Sequence, residues 1–182
     1  ALLRTPTQLV SIMAANNVIG VVQPLAEIAE SVHSAGALMH VDAVQAAGKL
    51  VLDVGAAPID LMSLSAHKLY GPQGVGALYV RDGVRLSPLI HGGGQERGLR
   101  SATENVAGVV GFGRAAEIAL AERVADNARL DVMRRRLVEG VVAACPQAYL
   151  IGHPQQRLPG HVCLGFAGQE GEAIRLLLAL DE

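Results

Sequence analysis

The sequence predicts an α/β fold with a mainly parallel sheet and flanking helices, and three observations carry that prediction. Short β-prone runs and an amphipathic helical segment follow one another as strand, helix, strand, the rhythm of a βαβ unit. Apolar residues make up 51% of the 182 residues and charged ones 18%, which suits a filled core and argues against disorder. Asn17, Asp42, Ser65, His67 and Lys68 all fall just after predicted strands, where parallel α/β sheets gather their ligands.

Taken in order, Leu9–Met13 is a β-prone run that stops at the loop signal Ala14-Ala15-Asn16-Asn17. Pro24 suits a first helical turn, Leu25, Ile28, Ala29 and Val32 follow at helical spacing, and Gly36 closes the segment. Strands are predicted over Ala37–Val41, ending in Asp42, then over Asp60–Ser65 and Gly76–Val80, with the turn-rich Tyr70-Gly71-Pro72-Gln73-Gly74 between the last two. Beyond Gly92-Gly93-Gly94 the pattern turns helical from Asn105 to Ala144, as one long helix or as two with a break near Asp126-Asn127, and Pro146 ends it. The arginine run at 134–136 reads as a solvated helix surface. A strand over His161–Phe166 and a helix over Glu170–Leu180 then predict part of a small α+β domain. The expected division is residues 1–125 for part of a large domain and 126–182 for part of a small one.

A net charge of -2 without a basic stripe speaks against nucleic acid as a partner. No apolar run is long enough to cross a bilayer, and residues 1–8 carry no leader pattern. Cys145 and Cys163 have neither disulfide-framework nor metal-ligand spacing, so no metal site is expected and a reducing cytoplasm fits best. Without a starting Met, and with a strand following at once, the chain is expected to begin inside a longer protein.

Chemistry concentrates in two short stretches. In Ser65-Ala66-His67-Lys68-Leu69-Tyr70-Gly71-Pro72 a lysine follows a buried strand, and two glycines and a proline shape the next turn. A nucleophilic amine needs that fixed position and partial desolvation, although a lone lysine at a strand end is more often a surface residue. In His40-Val41-Asp42-Ala43-Val44-Gln45 a carboxylate ends a strand. It reads equally as a helix cap, with Gln45 at capping-box spacing, and as the partner that keeps a pyridine nitrogen protonated. The glycines at 92–94 lack the Lys-Ser/Thr ending of a P-loop. His91 is left without a role.

These two stretches, together with Asn16-Asn17-Val18-Ile19-Gly20 and Gly92-Gly93-Gly94-Gln95-Glu96-Arg97-Gly98-Leu99-Arg100-Ser101-Ala102-Thr103, occur in the order and spacing of cysteine desulfurases. The chain therefore resembles the class V aminotransferase group of fold type I enzymes that use pyridoxal phosphate (PLP), over nearly its whole length. That resemblance implies a PLP-dependent transferase-like large domain and a set of roles. Lys68 would hold PLP as a Schiff base and be catalytic, with His67 assisting proton transfer. Asp42 would face the pyridine nitrogen, and Gln45 the phenolic oxygen. Ser65 and His67 would bind the phosphate, Asn17 would lie near cofactor and substrate carboxylate, and Thr103 would reach a partner's PLP phosphate across a homodimer.

The implied reaction removes sulfur from L-cysteine, leaving L-alanine and an enzyme persulfide that feeds iron–sulfur cluster or thio-cofactor synthesis through acceptor or scaffold proteins. Neither Cys145 nor Cys163 matches the family's persulfide position, so these 182 residues alone are expected to lack turnover. Val18 and Ala102 also depart from the pattern, the second where glycine is frequent and where the bend presenting Thr103 would feel the change. A selenocysteine lyase or another class V relative, and a non-catalytic paralogue or scaffold, are the alternative readings.

Overall fold

The computed structural model describes residues 6–181, and the chain divides into two compact units. The first comprises residues up to Ala14 together with Pro24–Ala121; the second comprises Ala15–Gln23 and the chain from Glu122 onward.

In the first unit, β1 (Leu9–Met13), β2 (Leu38–Asp42), β3 (Leu61–Ser65) and β4 (Gly76–Val80) form one sheet in that order. The first three are parallel and β4 runs antiparallel to β3. Between β1 and β2 the chain makes α1 (Leu25–Ser34), which buries Ala29 and Val32. Those residues stand three apart on one helical face. Gly36, with φ +73°, takes the left-handed turn that brings the chain back to the sheet. Period-two alternation sorts the sheet faces: Met39 and Val41 are fully buried while His40 and Asp42 point the other way and stay half-buried.

Register places Met13 beside Asp42 and Asp42 beside Ser63, so the carboxyl ends of β1, β2 and β3 line one edge. Two backbone bonds continue the ladder past the strands, from Ala14 N–H to Asp42 O (2.8 Å) and from Ala43 N–H to Ser63 O (3.0 Å). The helix α2 (Val106–Ala144) is continuous over 39 residues, with its first part in the first unit and the remainder in the second. The possible break at Asp126-Asn127 is absent: Asp126 pairs with Arg129 one turn on (3.1 Å) and supports the helix instead. Ala115 of α2 is buried in a cluster with Ala47 and Leu69, flanked by Phe112 and Ala119.

The second unit holds a two-stranded antiparallel sheet, β5 (Ala148–Leu150) with β6 (Leu164–Phe166), and the helix α3 (Ala173–Asp181). The strand expected over His161–Phe166 is confined to its last three residues, because only these pair with β5. Cys163 stands just before β6, where its carbonyl accepts the Ile151 N–H (2.8 Å). No described helix is long and apolar enough to cross a membrane.

Candidate active site

After β2 the chain makes turns over 44–49 rather than the capped helix that the Asp42/Gln45 spacing suggested. The Asp42 Oδ1 does accept the Val44 N–H (3.0 Å), so half of the cap forms without a helix behind it. Among the described residues no hydrogen bond is made to the other carboxylate oxygen. Lys49 Nζ donates to the Gln45 carbonyl (3.1 Å) and closes the turn. Burial first, and then the charge of Lys68, hold the Lys49 ammonium below the usual lysine range.

After β3 the chain enters a single 3-10 turn, Ala66–Leu69, with Ala66 and Leu69 buried and His67 and Lys68 exposed. Tyr70 ends that turn in the left-handed region at φ 60°. Ser65 Oγ and His67 Nδ1 share a hydrogen bond (2.8 Å), which sets a hydroxyl and an imidazole side by side just ahead of Lys68. Behind the turn the packing leaves no slack. A Cβ on Gly76 would come within 2.6 Å of the Leu64 carbonyl, and one on Gly71 within 3.0 Å of the Ala66 carbonyl. A Cβ on Gly48 would come within 2.6 Å of Leu69 Cδ2, so the turns after β2 and β3 abut. The structure thus places Asp42 and Ser65 at the ends of neighbouring strands and Gln45, His67 and Lys68 in the turns that follow, all at the carboxyl edge of the sheet.

One pleat back from Asp42, on the same face, a polar row crosses three strands. Ser11 Oγ lies 2.7 Å from His40 Nδ1, and His40 Nε2 lies 3.2 Å from Ser63 Oγ. His40 belongs to the strand read as His40-Val41-Asp42, yet nothing local in the sequence signals that two serines from other strands flank its ring. Lys49 was likewise passed over, although a lysine one residue after a glycine in a tight turn is the signal that finds it.

The loop from Ile90 to Thr103 closes on itself. Ile90 bridges Arg100, the buried Ser101 accepts the Gly94 N–H at its Oγ (3.2 Å), and Gln95 Oε1 accepts the Ala102 N–H (3.3 Å). Ala102 adopts φ 153°, a conformation that favours glycine, and Thr103 after it is exposed. His91 is exposed in the same loop.

Asn17 belongs to the second unit, at the apex of a turn over 17–19. Asn16 shapes that turn by accepting the Val18 and Ile19 N–H groups at one side-chain oxygen (both 2.9 Å). The Asn17 side chain is exposed. Cys145 and Cys163 are half-buried, and Cys145 Sγ contacts Gln147 Oε1 (3.5 Å).

Chemically, the sheet edge offers an amine, a carboxylate with an open oxygen, an amide, a hydroxyl and an imidazole. That donor set suits a ligand with an electrophilic carbon, a protonated ring nitrogen and an anionic group, and the residues present fit PLP. Fold alone does not fix a function, and comparison with known proteins defines the domain further. The aminotransferase class-V family matches residues 1–182, and the chain belongs to that family. It is 51% identical over 93% of its length to a cysteine desulfurase of Cereibacter sphaeroides, covering 43% of that protein. It is 49% identical over 97% of its length to the cysteine desulfurase IscS of Methanosarcina thermophila, again covering 43%. Among solved structures it resembles a NifS-like protein with a TM-score of 0.87 and 43% identity, over 95% of this chain and 47% of that one. The chain spans less than half the length of the curated relatives it matches.

Proposed function

We propose that the full-length protein is a PLP-dependent cysteine desulfurase that converts L-cysteine to L-alanine and passes the sulfur on as a persulfide. The observation that supports this most is the placement of Asp42 and Ser65 at the carboxyl ends of the parallel strands β2 and β3, and of Gln45, His67 and Lys68 in the turns that follow them, in a chain about half identical to cysteine desulfurases. Bound there, the cofactor supplies an electron sink for the charge left on the substrate Cα. Lys68 Nζ would hold it covalently, and the same amine would take the proton from the substrate Cα. Asp42 uses its open oxygen to keep the pyridine nitrogen protonated, and Gln45 donates to the phenolic oxygen. Ser65 and His67 hold the phosphate as the hydrogen-bonded pair already described, and His67 also assists proton movement.

Asn17 is assigned to the cofactor and to the substrate carboxylate, which it orients. Thr103 is assigned to the phosphate of a partner's cofactor in a homodimer, with the closed Ile90–Thr103 loop at the subunit boundary. Residues 1–125 make part of the cofactor-binding large domain, and residues 126–182 part of a small domain. The sulfur-accepting thiol is assigned to a loop beyond residue 182, rather than to Cys145 or Cys163. The protein works in the cytoplasm and hands sulfur to acceptor or scaffold proteins for iron–sulfur cluster or thio-cofactor synthesis.

The test uses the full-length protein with PLP, treated with borohydride and mapped by peptide mass, alongside an assay of L-alanine released from L-cysteine. A trapped adduct on Lys68 and alanine release are expected, and Lys68→Ala should lose the adduct and ~10³-fold or more of the turnover. No adduct in the wild-type protein would leave a scaffold. An adduct with alanine formed only from selenocysteine would make the enzyme a selenocysteine lyase.

A further inference from the structure

Within the second unit, the Asn16–Val22 turn is braced by the segment around Arg157. Leu158 N–H donates to the Gly20 carbonyl (2.8 Å), Val22 N–H donates to the Gln156 carbonyl (3.0 Å), and Val21 and Arg157 form an antiparallel bridge. Arg157 as a residue is only 6% exposed. Its Nη2 donates to the Ile19 carbonyl at 2.9 Å and more loosely to the Ile151 carbonyl at 3.4 Å, while Nη1 reaches the His153 carbonyl at 3.4 Å. The buried Nε has no partner among the described residues.

Burying a guanidinium that is only partly satisfied costs stability, and an apolar side chain of similar size would pack there at lower cost. What arginine offers instead is a planar fork that ties the turn to the stretch following β5. The short bond of that fork goes to Ile19, two residues from Asn17. Ile19 is thereby held at both backbone polar groups, its N–H by Asn16 Oδ1 and its carbonyl by Arg157. The apex between these anchors has little freedom.

We propose that Arg157 is a positioning residue: by holding the Ile19 carbonyl it sets the turn from which Asn17 meets the substrate carboxylate. The inference rests on the role given to Asn17 above. A fixed misplacement of about 1 Å can cost up to ~10²-fold in rate; a turn that is loosened but still visits the right position costs less and weakens the hold on the carboxylate, so the turn must be braced for Asn17 to serve.

The test compares wild type, Arg157→Met, Arg157→Lys, Asn17→Ala and the Arg157→Met/Asn17→Ala double variant in the full-length enzyme with PLP. Amide hydrogen exchange is followed peptide by peptide, and KM and kcat for L-cysteine are measured. Arg157→Met should speed exchange over residues 16–22 by ~10-fold while peptides spanning β1 to β3 stay unchanged. Its KM should rise ~10-fold with kcat within ~3-fold, and the double variant should match Asn17→Ala alone, because both act through one side chain. Arg157→Lys, which keeps a charged donor without the fork, should recover part of the effect, and it carries the same two readouts if Arg157→Met fails to fold. Unchanged exchange over residues 16–22 overturns the bracing role. KM effects that multiply in the double variant overturn the route through Asn17. An unchanged KM in Asn17→Ala sinks the proposal through Asn17 itself, which the exchange data separate from a failure at Arg157.

Discussion

The two ends of the parallel strands in the first unit both carry polar side chains, and they use them in opposite ways. At the amino end, Asp60 is 4% exposed and fully engaged. Its Oδ2 accepts the Met39 N–H and lies beside His33 Nε2, both at 2.7 Å, while Arg81 Nη1 stands 3.4 Å from Oδ1 and Arg81 Nε donates to the Ile59 carbonyl (3.1 Å). At the carboxyl end, Lys68 and His67 are exposed and Asp42 spends one oxygen on Val44. A polar cluster that satisfies itself stabilises the fold; one that leaves donors and acceptors open is available to a ligand.

The largest effect should come from the closed end. Asp60→Ala removes the acceptor shared by His33, Arg81 and a buried N–H, and should cost the full-length protein about 3–5 kcal/mol in chemical denaturation. Burial pushes the Asp60 carboxyl up, but the Met39 N–H, His33 and Arg81 together outweigh burial and hold it below the ordinary carboxylate range. A depressed folded-state pKa gives stability that is present above the unfolded value, ~3.9, and that fades as pH falls through the folded one. The stability curves of wild type and Asp60→Ala should therefore converge in acid and run parallel near neutrality. A constant gap across that range would show that the cluster acts through packing and not through charge.

How much of this was legible in the sequence follows from how local each feature is. The strands Leu9–Met13 and Gly76–Val80 were read to the residue because turn signals punctuate them. The helix α1 is legible in the spacing of Leu25, Ile28, Ala29 and Val32, of which Ala29 and Val32 are buried. By contrast β5, three residues long, is too short for any period to show. The site residues were legible as motifs at strand ends, and the family resemblance assigned their roles. The closed cluster was not legible, because Asp60 meets a histidine 27 positions earlier and an arginine two strands later, just past β4. Arg157 was hidden for the same reason: its carbonyl partner on Ile19 is 138 residues away. Sequence patterns report periodicity and capping, whereas long-range pairing becomes visible only after folding.

The open end should respond in the opposite manner. Asp42→Asn keeps an oxygen for the Val44 N–H, so folding stability should change by less than ~0.5 kcal/mol. It removes the charge proposed to face the pyridine nitrogen, and a charge-assisted hydrogen bond contributes about 1.5–3 kcal/mol, so turnover should fall by roughly 10- to 100-fold. Alanine release from L-cysteine and a denaturation curve, measured on the same preparation, check both halves. If Asp42→Asn instead unfolds the protein while turnover per folded molecule survives, Asp42 belongs with Asp60 as a structural carboxylate, and the contrast between the two ends fails.

The smallest effect sharpens the contrast by changing only the surroundings of a charge pair. Arg114 Nη1 and Glu117 Oε2 stand 3.0 Å apart on α2, closer than Arg81 and Asp60, but both side chains are 70% exposed. Water screens the attraction and two long side chains give up rotamer freedom to make it, so Arg114→Ala should cost no more than ~0.5 kcal/mol and less still in high salt. Distance alone would rank this pair above the Asp60 contact with Arg81; burial reverses the order. Val109 and Val110, exposed on the same helix one turn before Arg114, make the measurement informative in the full-length protein. A loss above ~1 kcal/mol that persists in high salt would mean that this face of α2 is covered there and that Arg114 pairs out of water, as Asp60 does.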